Sequence, residues 1–146
     1  MAEHATKAYL AWGTRIDRGN SDGPPETFAQ IHEVTTAAPP NEQADDVEVS
    51  HLESPARTKE YIVGMIETGE VSFSVNWNPV DYADHVNIRT DKSTGTTRNW
   101  RIVLPLTRET ITFPAYVKGI QRNIGGPNDP VTADITLKVA GAVAAV

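Results

Sequence analysis

The chain has 146 residues, with 13 lysines and arginines against 19 aspartates and glutamates, a net charge of −6 and no cysteine. This length predicts one domain with a sizeable hydrophobic core. The lack of cysteine excludes disulfides, zinc–thiolate sites and thiol catalysis, and the acidic balance argues against a basic surface that clasps nucleic acid. Since no apolar run approaches the roughly 20 residues of a membrane helix, we expect no membrane partner and synthesis in the cytoplasm.

The first third of the chain combines two apolar segments with a long polar excursion. Met1–Lys7 is predicted as a polar arm, Ala8–Arg15 as a first strand, and Phe28–Thr36 as a second strand because it ends in β-branched residues. The excursion over residues 37–59 holds two consecutive prolines and an acidic cluster, and Val47–Leu52 within it alternates like a short strand. Excursions of this length in compact domains are usually functional or disordered.

A strictly alternating segment, Val71–Trp77, marks the centre of the predicted core. Its odd positions are apolar, and its even positions are the small polar residues Ser72, Ser74 and Asn76. This is the pattern of a strand with one buried face, and each buried side chain contributes about 1.5–3 kcal/mol. The preceding segment Tyr61–Ile66 and the turn between the two segments predict a β-hairpin.

One helix is predicted, over residues 79–91. Asn78 is a favourable N-cap residue, and Pro79 suits the first helical position. Asp81 complements the positive end of the helix dipole, and Gly95 predicts where the helix stops.

Three alternating strands are predicted after the helix, at Trp100–Leu106, Ile111–Val117 and Val131–Val139, followed by a tail over residues 140–146 that contains only alanine, glycine and valine. Many short strands with Gly/Pro turns predict a mainly β fold, either an antiparallel β-sandwich or a partly open barrel with one flanking α-helix, formed by residues 1–146 as a single domain. The predicted core residues are Phe73, Val75, Trp77, Ile102, Leu104, Phe113 and Leu137.

The residue types that carry catalysis show no usable pattern. The four histidines are not at metal-ligand spacing, and no Gly-x-Ser-x-Gly elbow occurs. The acidic cluster Asp45, Asp46 and Glu48 does not match a calcium loop. His85, one helical turn after Asp81, is expected to form a solvated pair with it. The sequence therefore predicts no enzyme, no metal and no cofactor.

A family resemblance is carried by segments that follow one another in a fixed order between about Ala8 and Val139. They are Gly13-Thr14, Phe28–Val34 before a proline-containing loop, the acidic and β-branched Asp46–Ser54, and Tyr61–Glu70 leading into the strand before Asn78-Pro79. In this order they resemble the tail tube proteins of phages with long, flexible, non-contractile tails, the lambda-like type.

This resemblance implies a ring-forming β-sandwich whose hexameric rings stack into the tail tube of a virion, a conduit for DNA ejection. The implied partners are further copies of the chain and other tail proteins, namely the tape measure, the tail terminator and the tail tip. DNA would pass transiently and without sequence-specific contacts. The implied location is the virion tail, after assembly in the host cytoplasm.

The lining of a DNA conduit should be small and polar or acidic, because each lysine or arginine that contacts phosphate adds salt-sensitive affinity. The candidate lumen-facing residues are Ser72, Ser74, Asn76, Asp134 and Thr136. Lys138, on the same strand as Asp134 and Thr136, is an exception because it is basic. Alternatively, these faces meet solvent or a neighbouring subunit. The candidate inter-subunit or inter-ring residues lie in the excursion and are Pro39, Pro40, Asp45, Asp46, Glu53, Arg57 and Lys59.

Two other interpretations stay open at this point. A β-sandwich binding or adhesion module of a virion would expose aromatic residues in loops, whereas most aromatic residues here lie in predicted strands. A related ring former, such as a tail terminator or a secretion-system tube protein, would share the same physical features.

Overall fold

The structure is a computed structural model that describes residues 5–20 and 26–146. The described part is mainly β with a single α-helix, in agreement with the predicted fold class. Its elements are β1 (Arg15–Gly19), β2 (Phe28–Gln30), β3 (Val34–Ala38), β4 (Gln43–Glu48), β5 (Tyr61–Glu67), β6 (Glu70–Asn76), α1 (Ala83–Thr94), β7 (Arg98–Val103), β8 (Thr110–Asn123), β9 (Thr132–Val139) and β10 (Ala144–Ala145).

The strands form one curled antiparallel sheet and a separate two-stranded hairpin. The order in the sheet is β2-β1-β7-β8-β9-β6-β3, with β10 paired to the start of β8, while β4 pairs with β5. β2 and β3 lie at opposite ends of this order but are joined by the short link Ile31–Glu33. In this link the N–H of Ile31 donates to Ile16 (2.8 Å), and Glu33 O accepts from Asn76 (2.9 Å). The link thus connects the two edge strands of the sheet, and the fold is the mainly β, antiparallel class that the sequence predicts.

In the core, alternate residues of β6, β8 and β9 are buried, and Ile88 of α1 packs into the same cluster. Of the predicted core residues, Trp77 and Leu104 are only half-buried, because β6 ends at Asn76 and β7 ends at Val103. Trp77 still packs against the edge of the core. The fully buried members of the predicted set are Phe73, Val75, Ile102, Phe113 and Leu137.

The helix occupies residues 83–94 and not 79–91. The side-chain oxygen of Asn78 accepts the N–H of Asp81 (3.2 Å) and so caps a turn that precedes the helix. Tyr82, at the actual N-cap position, makes no side-chain cap bond. The predicted stop is right, because Gly95 adopts the left-handed conformation (φ 68°) and donates its N–H to Asp91 (2.9 Å).

Two early strand predictions are wrong. Ala8–Arg15 is not a strand, because the N–H of Thr14 bonds to Ala11 O (3.0 Å) in a turn and β1 begins only at Arg15. Phe28–Thr36 is split into β2 and β3 by Glu33, whose backbone is left-handed (φ 63°). The strand predicted at Trp100–Leu106 is observed at Arg98–Val103, so it begins two residues earlier and ends three residues earlier than predicted.

The predicted hairpin between Tyr61–Ile66 and Val71–Trp77 does not form. β5 pairs with β4, and β6 pairs with β3 and β9. β4 lies at residues 43–48, earlier than the predicted Val47–Leu52. The excursion over residues 37–59 therefore comprises the end of β3, β4 and the tip of a hairpin. Both edges of β6 are hydrogen-bonded, to β3 and β9, so neither is free to pair with β5, and the chain turns at Gly69 (φ 69°) between the two strands.

Candidate functional site

The β4–β5 hairpin and its tip over residues 49–60, here called the hairpin arm, leave large apolar side chains exposed on both faces. In β5, Met65 is 84% exposed on one face and Ile66 is 66% exposed on the other. Native proteins rarely leave contiguous apolar surface open to water without a partner. The exposed apolar residues of the arm are Val47, Val49, Leu52, Tyr61, Ile62, Val63, Met65 and Ile66.

The residues expected from sequence to contact other subunits all lie on this arm or at its base. Pro39 and Pro40 precede β4, Asp45 and Asp46 lie on it, and Glu53, Arg57 and Lys59 lie at the tip. All are exposed except Pro40, which is half-buried. The tip is held by Glu60, whose carboxylate accepts the hydroxyl of Ser54 (2.9 Å) and lies 3.3 Å from His51 Nε2. The structure thus gathers these residues onto one arm.

The five candidate lumen-facing residues share one face of the sheet, here called the polar face. Ser72 is opposite Thr136 and Ser74 is opposite Asp134 in the β6–β9 register, with Asn76 at the end of the same row. The hydroxyl of Ser74 donates to Asp134 Oδ1 (2.5 Å) and Asn123 Nδ2 donates to its other oxygen (3.0 Å). These hydrogen bonds, that of Ser74 foremost, hold the pKa of Asp134 below its usual value.

The polar face also carries lysines. Lys118 lies at a bulge of β8, and its ammonium donates to Glu70 Oε1 (2.5 Å), on β6. This bond and the charge of the partner lower the pKa of Glu70 and raise that of Lys118. Lys138 lies opposite Glu70 in the register. Two carboxylates and two ammonium groups therefore balance on this face, in contrast to a purely acidic lining.

Charged clusters bind the first strand and the helix to the sheet, a feature that the sequence analysis missed. Asp91 on α1 is 1% exposed, accepts two bonds from Arg18 (2.5 and 2.9 Å) and one from Arg98 (2.9 Å). Asp17 on β1 is also buried and accepts from Arg101 (2.6 Å). No local pattern marks these residues, because buried and exposed ion pairs use the same residue types.

His85 is buried, so the expected solvated pair with Asp81 is wrong. Its Nδ1 accepts the N–H of Asn78 (3.0 Å), and its Nε2–H donates to His32 O (2.9 Å). Its ring stacks on Trp77 with centroids 5.2 Å apart. The histidine joins the start of α1 to the β2–β3 link and serves as a structural group.

The described residues contain neither a metal-binding cluster nor a helix that could span a membrane. Across residues 5–20 and 26–146, no three histidines, aspartates or glutamates lie close enough to hold a metal ion. No helix in these ranges combines the length and apolarity required to cross a bilayer.

Comparisons with known proteins identify the family of this chain through a family model and its fold through solved structures. The model of the family described as "Lambda phage tail tube protein, TTP" matches residues 11–145. A chain of the tail of an empty GTA particle has a similar fold (TM-score 0.75, 18% identity, covering 94% of this chain and 98% of that chain). So do the tube-terminating cap of the anti-feeding prophage (0.73, 12%, 100% and 95%) and the SPP1 tail tube (0.61, 13%, 88% and 73%). A comparison of the sequence with curated proteins gives no match.

Proposed function

Because this chain belongs to the lambda phage tail tube protein family and is therefore a structural protein of the virion tail, we propose that it assembles into stacked hexameric rings. The rings form a tube that conducts DNA during ejection. This role requires no catalysis and no cofactor. The observation that carries the proposal is the hairpin arm, which exposes apolar residues on both faces.

The arm is poorly suited to stand alone in water. An isolated two-stranded hairpin is marginally stable at best, and β4 and β5 pair with each other but not with the main sheet. A neighbouring subunit that covers Val63 and Met65 on one face and Ile62 and Ile66 on the other would remove both deficiencies. We assign the arm, including the predicted residues Asp45, Asp46, Glu53, Arg57 and Lys59 and the base at Pro39 and Pro40, to contacts within or between rings.

The polar face supplies the lining of the tube in this proposal. Ser72, Ser74, Asn76 and Thr136 are short, and the carboxylate of Asp134 repels the phosphate backbone. The ammonium of Lys118 is paired with Glu70. Lys138 is therefore the residue of this face that does not fit a lining of small polar and acidic groups. A face with balanced charge holds few phosphates, so DNA can pass without being retained.

The number of subunits and the further partners are also part of the proposal. Six subunits per ring are supported by the GTA tail of similar fold, which was refined with C6 symmetry. The tube would meet the tape measure inside it and the tail tip and tail terminator at its ends. Subunits would fold and assemble in the host cytoplasm. We take residues 1–146 as one domain, with the segment over residues 140–146 tied to β8 through β10.

Removing the hairpin arm tests this function. Replacing residues 43–67 by a short Gly/Ser linker removes β4, β5 and the tip but leaves the main sheet intact. We expect a folded subunit that forms neither rings nor tubes in negative-stain electron microscopy and sedimentation, whereas the wild type forms tubes, with an initiator complex if one is required.

A matched pair of point variants separates apolar contact from deletion effects. Met65→Ser and Glu67→Ser both change exposed residues of β5, but only the first removes an apolar side chain, so only it should weaken assembly. Tubes formed by the deletion variant would contradict the role of the arm. A wild-type protein that stays monomeric at every concentration, even with an initiator, would contradict tube formation itself.

A further inference from the structure

We propose that two surface clusters at opposite ends of β8 bind each other between copies of this chain, in a head-to-tail contact. The inference rests on the proposed function, because it identifies surfaces through which tube subunits meet. The cluster at the start of β8, the basic end, comprises Tyr9, Leu10, Trp12, Leu106, Arg108 and Val146. The cluster at the other end, the acidic end, comprises Val80, Asp81, Ile124, Asp129 and Val131.

The basic end is assembled from residues 9–12, Val146 and the turn before β8. Thr110, the first residue of β8, exchanges two backbone bonds of 3.0 Å with Val146. The guanidinium of Arg108 lies 4.2 Å from the ring centroid of Tyr9. Beside them, large apolar side chains stand in water, with Leu10 81%, Trp12 88% and Leu106 84% exposed.

Backbone strain at the basic end supports a role for Leu106. Its φ of 58° places a leucine in the left-handed region, which is unfavourable for a residue other than glycine. The side chain is 84% exposed, so packing within the subunit does not offset this cost. A contact with a second molecule would account for an exposed leucine that is held in an unfavourable conformation.

The acidic end surrounds the finish of β8. Ile124 directly follows Asn123, the last residue of that strand, and is 82% exposed. Val131 directly precedes β9, and its carbonyl oxygen accepts the N–H of Trp77 (2.9 Å). Val80, in the turn that follows Trp77, is 91% exposed.

Carboxylates flank these apolar groups at the acidic end. Asp129 accepts the N–H of Gly126 (2.9 Å) and Asp81 accepts the side-chain amide of Asn78 (2.6 Å). Both carboxylates are exposed and their described contacts are with neutral donors. Among the described residues neither carboxylate has an ion-pair partner, so each is open to a cation from another molecule.

The two clusters complement each other but cannot meet within one subunit. β8 has 14 residues, which span roughly 45 Å at about 3.3 Å per residue. The basic end presents apolar side chains with Arg108, which lies over Tyr9 and has no ion-pair partner among the described residues. The acidic end presents apolar side chains with Asp81 and Asp129, beside Arg122, which lies over the ring of Trp77. A contact between different surfaces of identical subunits repeats from copy to copy, which is the geometry that builds rings and filaments.

Charge reversal tests the contact. One variant carries Arg108→Glu, a second carries Asp81→Lys together with Asp129→Lys, and a third combines all three substitutions. If these charges face each other, the first two variants should raise the concentration required for tubes at least about tenfold, and the third should return it close to the wild-type value. Arg89→Glu on the exposed side of α1 makes the same charge change away from both clusters and should have no effect.

The outcomes separate this contact from tube formation in general. Circular dichroism and thermal unfolding first establish that each variant folds, and tubes are then counted by electron microscopy and sedimentation. Tubes formed by Arg108→Glu at wild-type concentrations, or failure of the third variant to recover while folded, would overturn the head-to-tail contact and leave the proposed function standing. Absence of tubes in the wild type under every condition would overturn the proposed function instead.

Discussion

The carboxylate of Asp91 joins the helix to the sheet, so a single substitution at this residue measures how much the buried ion pairs contribute to the stability of the fold. Asp91 accepts three charge-assisted hydrogen bonds from two arginines. Its side chain is 1% exposed, while those of Arg18 and Arg98 are 12% and 21% exposed. Asp91→Ala would leave two guanidinium groups without their counter-charge in a nearly dry environment.

We expect Asp91→Ala to lower the free energy of unfolding by about 3–5 kcal/mol, the cost typical of breaking a buried ion pair. The three lost hydrogen bonds alone would suggest a larger loss of unfolding free energy, at about 1.5–3 kcal/mol for each bond. The estimate is lower because both arginines have some access to water and can regain part of their hydration.

Urea denaturation of unassembled subunits at low concentration, followed by circular dichroism, measures this difference. Asp46→Ala on the exposed β4 removes a carboxylate without a buried partner and should stay within about 0.5 kcal/mol of the wild type. Replacing the whole cluster by Arg18→Met, Asp91→Leu and Arg98→Met should recover most of the loss, since no unpaired charge then remains.

Two results would refute this reasoning. A loss below about 1 kcal/mol for Asp91→Ala would mean that the arginines find other partners or water without cost. A triple variant as unstable as Asp91→Ala would show that lost packing or geometry, and not the unpaired guanidinium groups, causes the destabilisation.

Three further predictions concern single positions. Gly95→Ala should lower the free energy of unfolding by about 1–2 kcal/mol because φ at this position is 68°. An added Cβ would meet no atom within 4 Å, so Gly95→Asn, which tolerates this conformation better, should lower it by less. Equal losses for the two variants in urea denaturation would point to a clash instead. Because hydrogen bonds lower the pKa of Asp134, its contribution to stability is complete above the usual pKa of the carboxyl group and is lost as pH falls through the lowered one. Thermal unfolding from neutral to acidic pH should therefore show a smaller acid loss for Asp134→Asn than for the wild type, and parallel curves would contradict this. Leu106→Gly should leave thermal stability equal or higher because strain at φ 58° is relieved, yet it should weaken tube assembly; tubes at wild-type concentration would count against the head-to-tail contact.

Much of the fold could be predicted because burial imposes short-range patterns. Val71, Phe73 and Val75 alternate with polar residues, and the same residues alternate between core and surface in β6. The left-handed Gly95 ends the helix where the sequence indicates. The polar face was likewise visible, since Ser72 and Ser74 already occupy alternate positions of one strand.

The features that the sequence did not reveal depend on which distant segments meet. β5 could pair with either neighbour, and its apolar residues on both faces gave no preference; the choice of β4 follows from β6 being taken by β3 and β9. Alternation along β8 already places Lys118 on the face opposite Val117, but only the tertiary structure brings its ammonium to Glu70 on β6.

For this protein, the sequence by itself determined the mainly β class, the alternating strands, the end of the helix and the absence of thiol chemistry. These depend on the properties of residues that are neighbours along the chain. Only the tertiary structure decided that Asp91 and His85 are buried, that the hairpin arm stands apart and that the basic and acidic ends lie at opposite ends of β8. The residues next to an aspartate in the chain do not show whether its side chain will be buried or exposed. Long-range pairing of the strands and the helix determines which environment it enters.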